Sequence, residues 1–190
     1  MRLSIIRHGM TEANEKRLYC GSTDIPLSEQ GRHSLAMLKE TVIYPAADVY
    51  ITSGLIRACE TLRILYNREP DAVMAEFKEM AFGDFEMKSY EELKDKPAYR
   101  LWISGGCETA CPNGESRDAF DSRVMAGLDK LFDVNSGTGS YVVVCHGGVI
   151  VSIMERLFPG KKNFYEWQPD FGRGYTLDIS PEREAQWRLL

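Results

Sequence analysis

The chain has 190 residues, 44% of them hydrophobic, with 23 Lys and Arg against 28 Asp and Glu for a formal net charge of −5. That length suits one domain, 1–190, with a buried core. The negative balance excludes nucleic acid and an anionic membrane as expected partners, since both need a basic face; a small anionic ligand stays open, because a few clustered arginines make a positive pocket in a negative protein.

In chain order, the apolar run LSIIR (3–7) predicts a first strand, which ends in Arg7, His8 and Gly9 rather than in a bland turn. The same residues interrupt the apolar run too early for a secretion signal. Ser28 predicts the cap of a helix running to about Glu40, with Leu35 and Leu38 inward. DVYIT (48–52) reads as a second strand, and Ser53 as the cap of a helix with Ile56, Leu62 and Leu65 on its apolar side. Asp71–Phe77 reads as a third strand. Ser89, with Glu92 three residues on, forms a capping box. Ser116 starts a long helix with Phe120, Val124, Leu128, Leu131 and Phe132 on one face. YVVVC (141–145) has the continuous apolarity of a strand covered on both faces, a helix follows at 149–158, and GYTLDIS and QWRLL close as an antiparallel pair. Alternating strands and helices imply an α/β three-layer sandwich, its sheet mostly parallel with helices on both faces.

Residues 84–115 mix Gly, Pro and aromatics with weak periodicity and read as an excursion, a flap or specificity insertion. Its Tyr99 and Trp102 either line a substrate mouth or pack the loop down. The five cysteines, at 20, 59, 107, 111 and 145, are odd in number and scattered, which fits reduced thiols in a cytoplasmic setting. Cys107 and Cys111 lack a second pair at metal spacing, so no zinc site is expected. No stretch reaches membrane-spanning length.

Ligands in open α/β sheets bind at the carboxyl ends of the strands. There the sequence places Arg7, His8 and Gly9, then Ser53 with Arg57 one helical turn on, then His146, Gly147 and Gly148. Of three histidines, two share the context of apolar strand, His, Gly; His33 reads as surface. Two guanidinium forks, two imidazoles and a helix N-terminus near Ser53 favour a tetrahedral oxyanion, best a phosphoryl group. One imidazole is placed to carry that group covalently, with the cations holding charge on its oxygens. The leaving alkoxide needs a proton, and Glu76, Glu79, Asp84 and Glu86 all stand in EFKEMAFGDFEM; the residues alone do not separate them. Blander readings stand beside these: a strand-end ion pair for Arg7, a helix pair with Glu60 or Glu40 for Arg57, a turn for Asn14, a structural role for His146.

With Arg7-His8-Gly9, Thr11 and Asn14, then Leu55-Ile56-Arg57-Ala58 and Thr61, then Glu79-Met80-Ala81-Phe82-Gly83 and Glu86, and finally His146-Gly147, the chain resembles the histidine phosphatase superfamily, the phosphoglycerate mutase-like fold. The resemblance spans nearly the whole chain in order. It implies His8 as the nucleophile that becomes phosphohistidine and Glu79 as proton donor, returning as base. It implies Arg7, Asn14, Arg57 and His146 as the phosphate pocket, with the amide of Gly147 assisting, and Cys20 and Gly21 as a further substrate contact. No metal or organic cofactor is implied. Met10, Gly54 and Met87 depart from the usual pattern, the last two standing where proline and glycine are common. Phe82–Met87 and Pro112–Glu115 look most like α-ribazole phosphatase and its broad-specificity relatives. A phosphoglycerate mutase is the nearest rival; the 66 residues between Glu79 and His146 are short for the enclosing insertion a mutase needs. A non-catalytic phospho-ligand module is the rival from another class. The alcohol released stays open between a nucleoside phosphate, a sugar phosphate and a phosphoprotein, and so does the oligomeric state.

Overall fold

The computed structural model of the protein describes residues 1–106, 108–134 and 138–190. Cys107 lies outside them, and with it the Cys107–Cys111 spacing.

Six strands form one sheet: β1 (Arg2–Arg7), β2 (Val49–Thr52), β3 (Ala72–Val73), β4 (Ser140–Cys145), β5 (Gly174–Ile179) and β6 (Ala185–Leu189), in the spatial order β3-β2-β4-β1-β5-β6. The first four named in that order run parallel, and β5 and β6 add antiparallel at one edge. The expected mixed, mostly parallel sheet is therefore present. The pairing Arg7↔Cys145 and Thr52↔Val144 brings the carboxyl ends of β1, β4 and β2 level.

Side chains alternate across the sheet with the period of a strand. Leu3, Ile5, Ile51, Tyr141 and Val143 bury one face against α6 (Arg117–Val134) and α7 (Gly147–Leu157), through Phe120, Val124, Ile150 and Ile153. Ile6, Tyr50, Val142 and Val144 bury the other against α2 (Glu29–Thr41) and α3 (Ile56–Tyr66), through Leu35, Ala58, Leu62 and Leu65. These are the three layers. At about 25 cal/mol per Å² of apolar surface, the two seams supply the main drive to fold.

Three local expectations need correction. The third strand is only Ala72–Val73, both exposed at the sheet edge, and the chain then turns into a 3₁₀ helix at Ala75–Phe77. Ile56 is exposed, and Arg57 takes the inward position on α3. Ser53 does not cap α3: Leu55 is the N-cap residue, and the first helical amide, Ile56 N, is capped from a distant loop by Asp24 Oδ1 at 2.7 Å. The capping box at Ser89 and Glu92 forms as expected and opens α4 (Tyr90–Leu93).

The excursion packs down on itself. Phe85, Leu93, Tyr99, Trp102 and Cys111 make a separate small core with Tyr19 and Phe82 against it, around α4 and α5 (Pro97–Ser104). The rings meet edge-on, Tyr19 with Phe82 at 5.3 Å and Phe85 with Tyr99 at 5.4 Å between centroids. Each such pair adds about 0.5–1.5 kcal/mol beyond its burial. Two of the three departures, Met87 and Gly54, have a backbone reason or consequence. Met87 sits at φ 57°, the left-handed region where glycine costs nothing. Gly54 sits at φ 87°, which proline cannot adopt.

Candidate active site

The level strand ends carry the polar cluster. β1 hands over to His8, which is 6% exposed, and β4 to His146, fully buried; their ring centroids are 5.1 Å apart. His8 Nδ1 bonds the Gly9 carbonyl oxygen at 2.6 Å. A carbonyl only accepts, so Nδ1 carries the proton and Nε2 keeps the lone pair. His146 Nε2 meets Ser53 Oγ at 2.8 Å, and Ser53 is buried at the end of β2. The Ser53 hydroxyl thus orients an imidazole rather than starting a helix.

Two guanidinium groups close on the same point. Arg7 donates from Nη1 to Pro169 O at 2.8 Å and lies over the Phe171 ring, 4.0 Å from its centre. Arg57, 1% exposed, donates to Gly21 O at 2.6 Å and Thr23 O at 2.8 Å. With both terminal nitrogens on loop carbonyls, Arg57 pairs with neither Glu60 nor Glu40 among the described residues, and Glu60 goes instead to Arg32 at 2.9 Å and to Leu27 N at 2.8 Å. Thr61 Oγ1 links the elements, accepting from Gly9 N and donating to Arg57 O. Asn14 Oδ1 accepts from Thr11 N and Thr11 Oγ1, a capping box on α1 (Glu12–Glu15) that leaves its NH₂ able to donate. Gly147 is the first residue of α7, so its N–H has no partner within the helix.

Eight buried side-chain nitrogen or oxygen atoms among the described residues lack a protein partner, and three belong here: Arg7 Nε, Arg57 Nε and His146 Nδ1. Buried polar atoms without partners are costly. Their concentration around one imidazole is what an oxyanion-binding pocket requires. The N-terminus of α3, expected to help hold the anion, is not free to do so, because its first amide, Ile56 N, is already taken by Asp24.

Glu79 reaches the cluster from another segment. Its carboxylate accepts from Met80 N at 3.0 Å and from Gly148 N, in the first turn of α7, at 3.0 Å. A Cβ on Gly148 would lie 2.4 Å from Glu79 Oε1, and one on Gly147 would lie 2.6 Å from Gln168 Nε2. The paired glycines after His146 therefore give room for Glu79 and Gln168. The turn that bears Glu79 is braced from α6: Arg123 donates to Glu76 O at 2.8 Å and Lys78 O at 3.0 Å, and pairs with Glu115 at 2.8 Å, which accepts from Ala81 N at 2.9 Å. Arg123 and Glu115 were not singled out as site residues in the sequence reading. Glu76 pairs with Lys130, and Asp84 Oδ1 accepts from Asn113 Nδ2 at 3.1 Å, so neither is in the cluster. Cys20, half-buried, donates a weak bond from Sγ to Thr23 O at 3.8 Å and lies near the Arg57 and Glu79 charges, while Gly21 reaches the cluster by its carbonyl.

Beside Glu79 opens a cavity of about 450 Å³, walled by Tyr19, Phe82 and Trp102 from the excursion side and by Phe164 and Tyr165 of α8 (Phe164–Trp167). Arg117 also lines it and is already balanced by Asp121 and Glu155, each at 2.7 Å. A wider hollow of about 640 Å³ sits at the opposite strand ends, around Arg2, Ser140 and Asp178, with no histidine.

Burial first, and the Arg57 and Arg7 charges after it, hold His8 well below the ordinary histidine range. Burial, Arg57 and His8 do the same to His146. Both rings are thus neutral near pH 7. Their folded pKa values lie below the unfolded value of about 6.5, so the unfolded chain binds more protons as pH falls through that value. Stability is fully present above about pH 6.5 and is lost progressively as pH falls toward the folded values. Urea midpoints should therefore decline between pH 7 and 5, above the range where most carboxylates titrate, and His146→Gln should reduce that decline. A flat midpoint over this range would contradict the buried neutral rings.

Comparison with known proteins identifies the family. The family model of the histidine phosphatase superfamily (branch 1) matches residues 3–185. The chain is 35% identical to the adenosylcobalamin/α-ribazole phosphatase of Salmonella typhimurium over 161 residues, 83% of this chain and 79% of that one. The crystal structure of a putative α-ribazole-5′-P phosphatase from Escherichia coli superposes with a TM-score of 0.88 at 30% identity, covering 100% of this chain and 95% of the other. A phosphoglycerate mutase structure from Thermus thermophilus follows at a TM-score of 0.75 and 27% identity, covering 100% and 99%.

Proposed function

We propose a mechanism and a substrate class for a chain that belongs to the histidine phosphatase superfamily and is a phosphatase. His8 Nε2 attacks the phosphorus of a small phosphomonoester in line with the ester oxygen. The P–O bond to the alcohol breaks as the N–P bond forms, and the leaving oxygen takes a proton from Glu79. Arg7, Arg57, His146, Asn14 and the Gly147 amide hold the three phosphoryl oxygens through the transition state. Glu79, now ionised, takes a proton from water, which attacks phosphorus and releases His8 and inorganic phosphate.

The observation that carries this reading is the Nδ1 bond from His8 to Gly9 O at 2.6 Å, which fixes the tautomer and frees Nε2 beside two unpartnered guanidinium N–H donors, Arg7 Nε and Arg57 Nε. Within one domain, residues 84–115 shape the leaving-group pocket. Its aromatic walls suit a flat, apolar ring on the alcohol, and Arg117, balanced by Asp121 and Glu155, offers no surplus charge to a carboxylate such as that of phosphoglycerate. The names of the relatives and this pocket support α-ribazole phosphate as substrate. Free thiols at Cys20, Cys59 and Cys145 support a reducing, cytoplasmic setting, and no helix among the described residues is long and apolar enough to cross a membrane.

The test is a panel of phosphomonoesters scored by phosphate release with no bisphosphoglycerate added. Esters of ring-bearing alcohols, α-ribazole phosphate among them, should exceed 3-phosphoglycerate in kcat/KM by at least about tenfold, the worth of roughly 1.4 kcal/mol of pocket contact. Equal turnover of both, or transfer between hydroxyls without release, would count against the assignment.

A further inference from the structure

We infer that Glu86 is a positioning residue for Arg57, acting through the backbone of residues 21–23; this rests on the phosphatase reading of the pocket. The Glu86 carboxylate accepts from Gly21 N at 3.0 Å, Ser22 N at 2.9 Å, Thr23 N at 3.3 Å and Phe82 N at 3.0 Å. It also accepts from the hydroxyls of Ser22 at 3.3 Å and Thr23 at 2.6 Å. Three successive amides converging on one anion make a nest, here occupied by the protein's own carboxylate. With its lone pairs filled by donors, Glu86 has no place for a proton, which removes it from the acids available to the leaving group. The hydrogen bonds outweigh the opposing effect of burial and keep it below the usual carboxylate range.

The carbonyls of the same loop serve Arg57. Gly21 O takes its Nη2 at 2.6 Å and Thr23 O its Nη1 at 2.8 Å. The loop is therefore a polarised layer, its N–H groups on the anion and its C=O groups on the cation. Arg57 has both terminal nitrogens anchored there and its Nε unpartnered, so the loop sets the plane of the fork that meets the oxyanion. Glu86 also ties this loop to the segment bearing Glu79. Phe82 N shares the carboxylate, and a Cβ on Gly21 would lie 1.7 Å from Met80 O, so only glycine allows that approach.

The inference is tested by a double-mutant cycle with inorganic phosphate as the probe, read as its competitive inhibition constant alongside the melting temperature. Glu86→Gln keeps the shape but turns one acceptor into a donor facing N–H groups. It should raise the phosphate constant about tenfold, the scale of a charge-assisted hydrogen bond. In an Arg57→Ala background the same change should shift the constant less than about twofold, because the group it acts through is gone. Equal factors in both backgrounds, or a lowered melting temperature with an unchanged constant, would overturn the role of Glu86. An Arg57→Ala variant that still binds phosphate as tightly as the parent would instead overturn the pocket reading itself. If Glu86→Gln does not fold, Thr23→Val removes the 2.6 Å clamp bond and runs through the same cycle, with the same two results deciding.

Discussion

Replacing His8 by alanine should lower kcat/KM by about 10⁵-fold or more, the scale on which nucleophile removal acts in enzymes with covalent intermediates. No other group in the cluster can take over. His146 is fully buried, and its Nε2 is engaged by Ser53. Cys20 is half-buried, and burial raises its thiol pKa, so little thiolate is present at neutral pH. The fold should survive, because the residue closes no seam between sheet and helices and Gly9 keeps its bond to Thr61. Phosphate release from p-nitrophenyl phosphate, with circular dichroism as the folding control, checks this. Activity above about 1% of the parent would mean that another atom attacks.

The second large effect belongs to Glu79, and it should depend on the leaving group. With Glu79→Gln, an alkyl phosphate has no proton for its departing oxygen, and kcat should fall by about 10²–10⁴, the usual worth of general acid–base catalysis. p-Nitrophenolate leaves without a proton, so its first step should be nearly unaffected while hydrolysis of the phosphoenzyme still lacks a base. The expected trace is a burst of nitrophenol close to one per site, followed by slow turnover. Glutamine preserves one acceptor for Met80 N or Gly148 N, so the turn, braced by Arg123 and Glu115, should stay in place. Equal losses for both substrates with no burst would contradict the assigned role.

Much of this was legible because it is local. An apolar run ending in Arg7-His8-Gly9, and another ending in His146-Gly147-Gly148, mark strand ends, and parallel pairing makes those ends coincide. The long helix at 117–134 followed from its 3.6-residue repeat, and its buried face is the one expected. What escaped was set by contacts between distant segments. Ser53 looks like a cap because serine before a helix usually is one; its hydroxyl turns to His146, 93 positions away. Glu86 and Glu79 sit in one acidic run, and only the fold separates them, sending one to a nest of amides and the other to the start of α7. The brace from Arg123 to the Glu79 turn spans more than 40 positions and leaves no local pattern. The excursion defied periodic reading because its core is built from aromatic edges on short helices, not from one repeating face.

The most direct measurement is to quench the enzyme with base during turnover of a phosphomonoester and map the covalent phosphate by peptide mass spectrometry. Phosphate on the His8 peptide, stable to base, lost in acid and missing from the His8→Ala protein, is the predicted result. Phosphate on His146 or Cys20, or none in an enzyme that turns over, would contradict a reaction carried by the first imidazole.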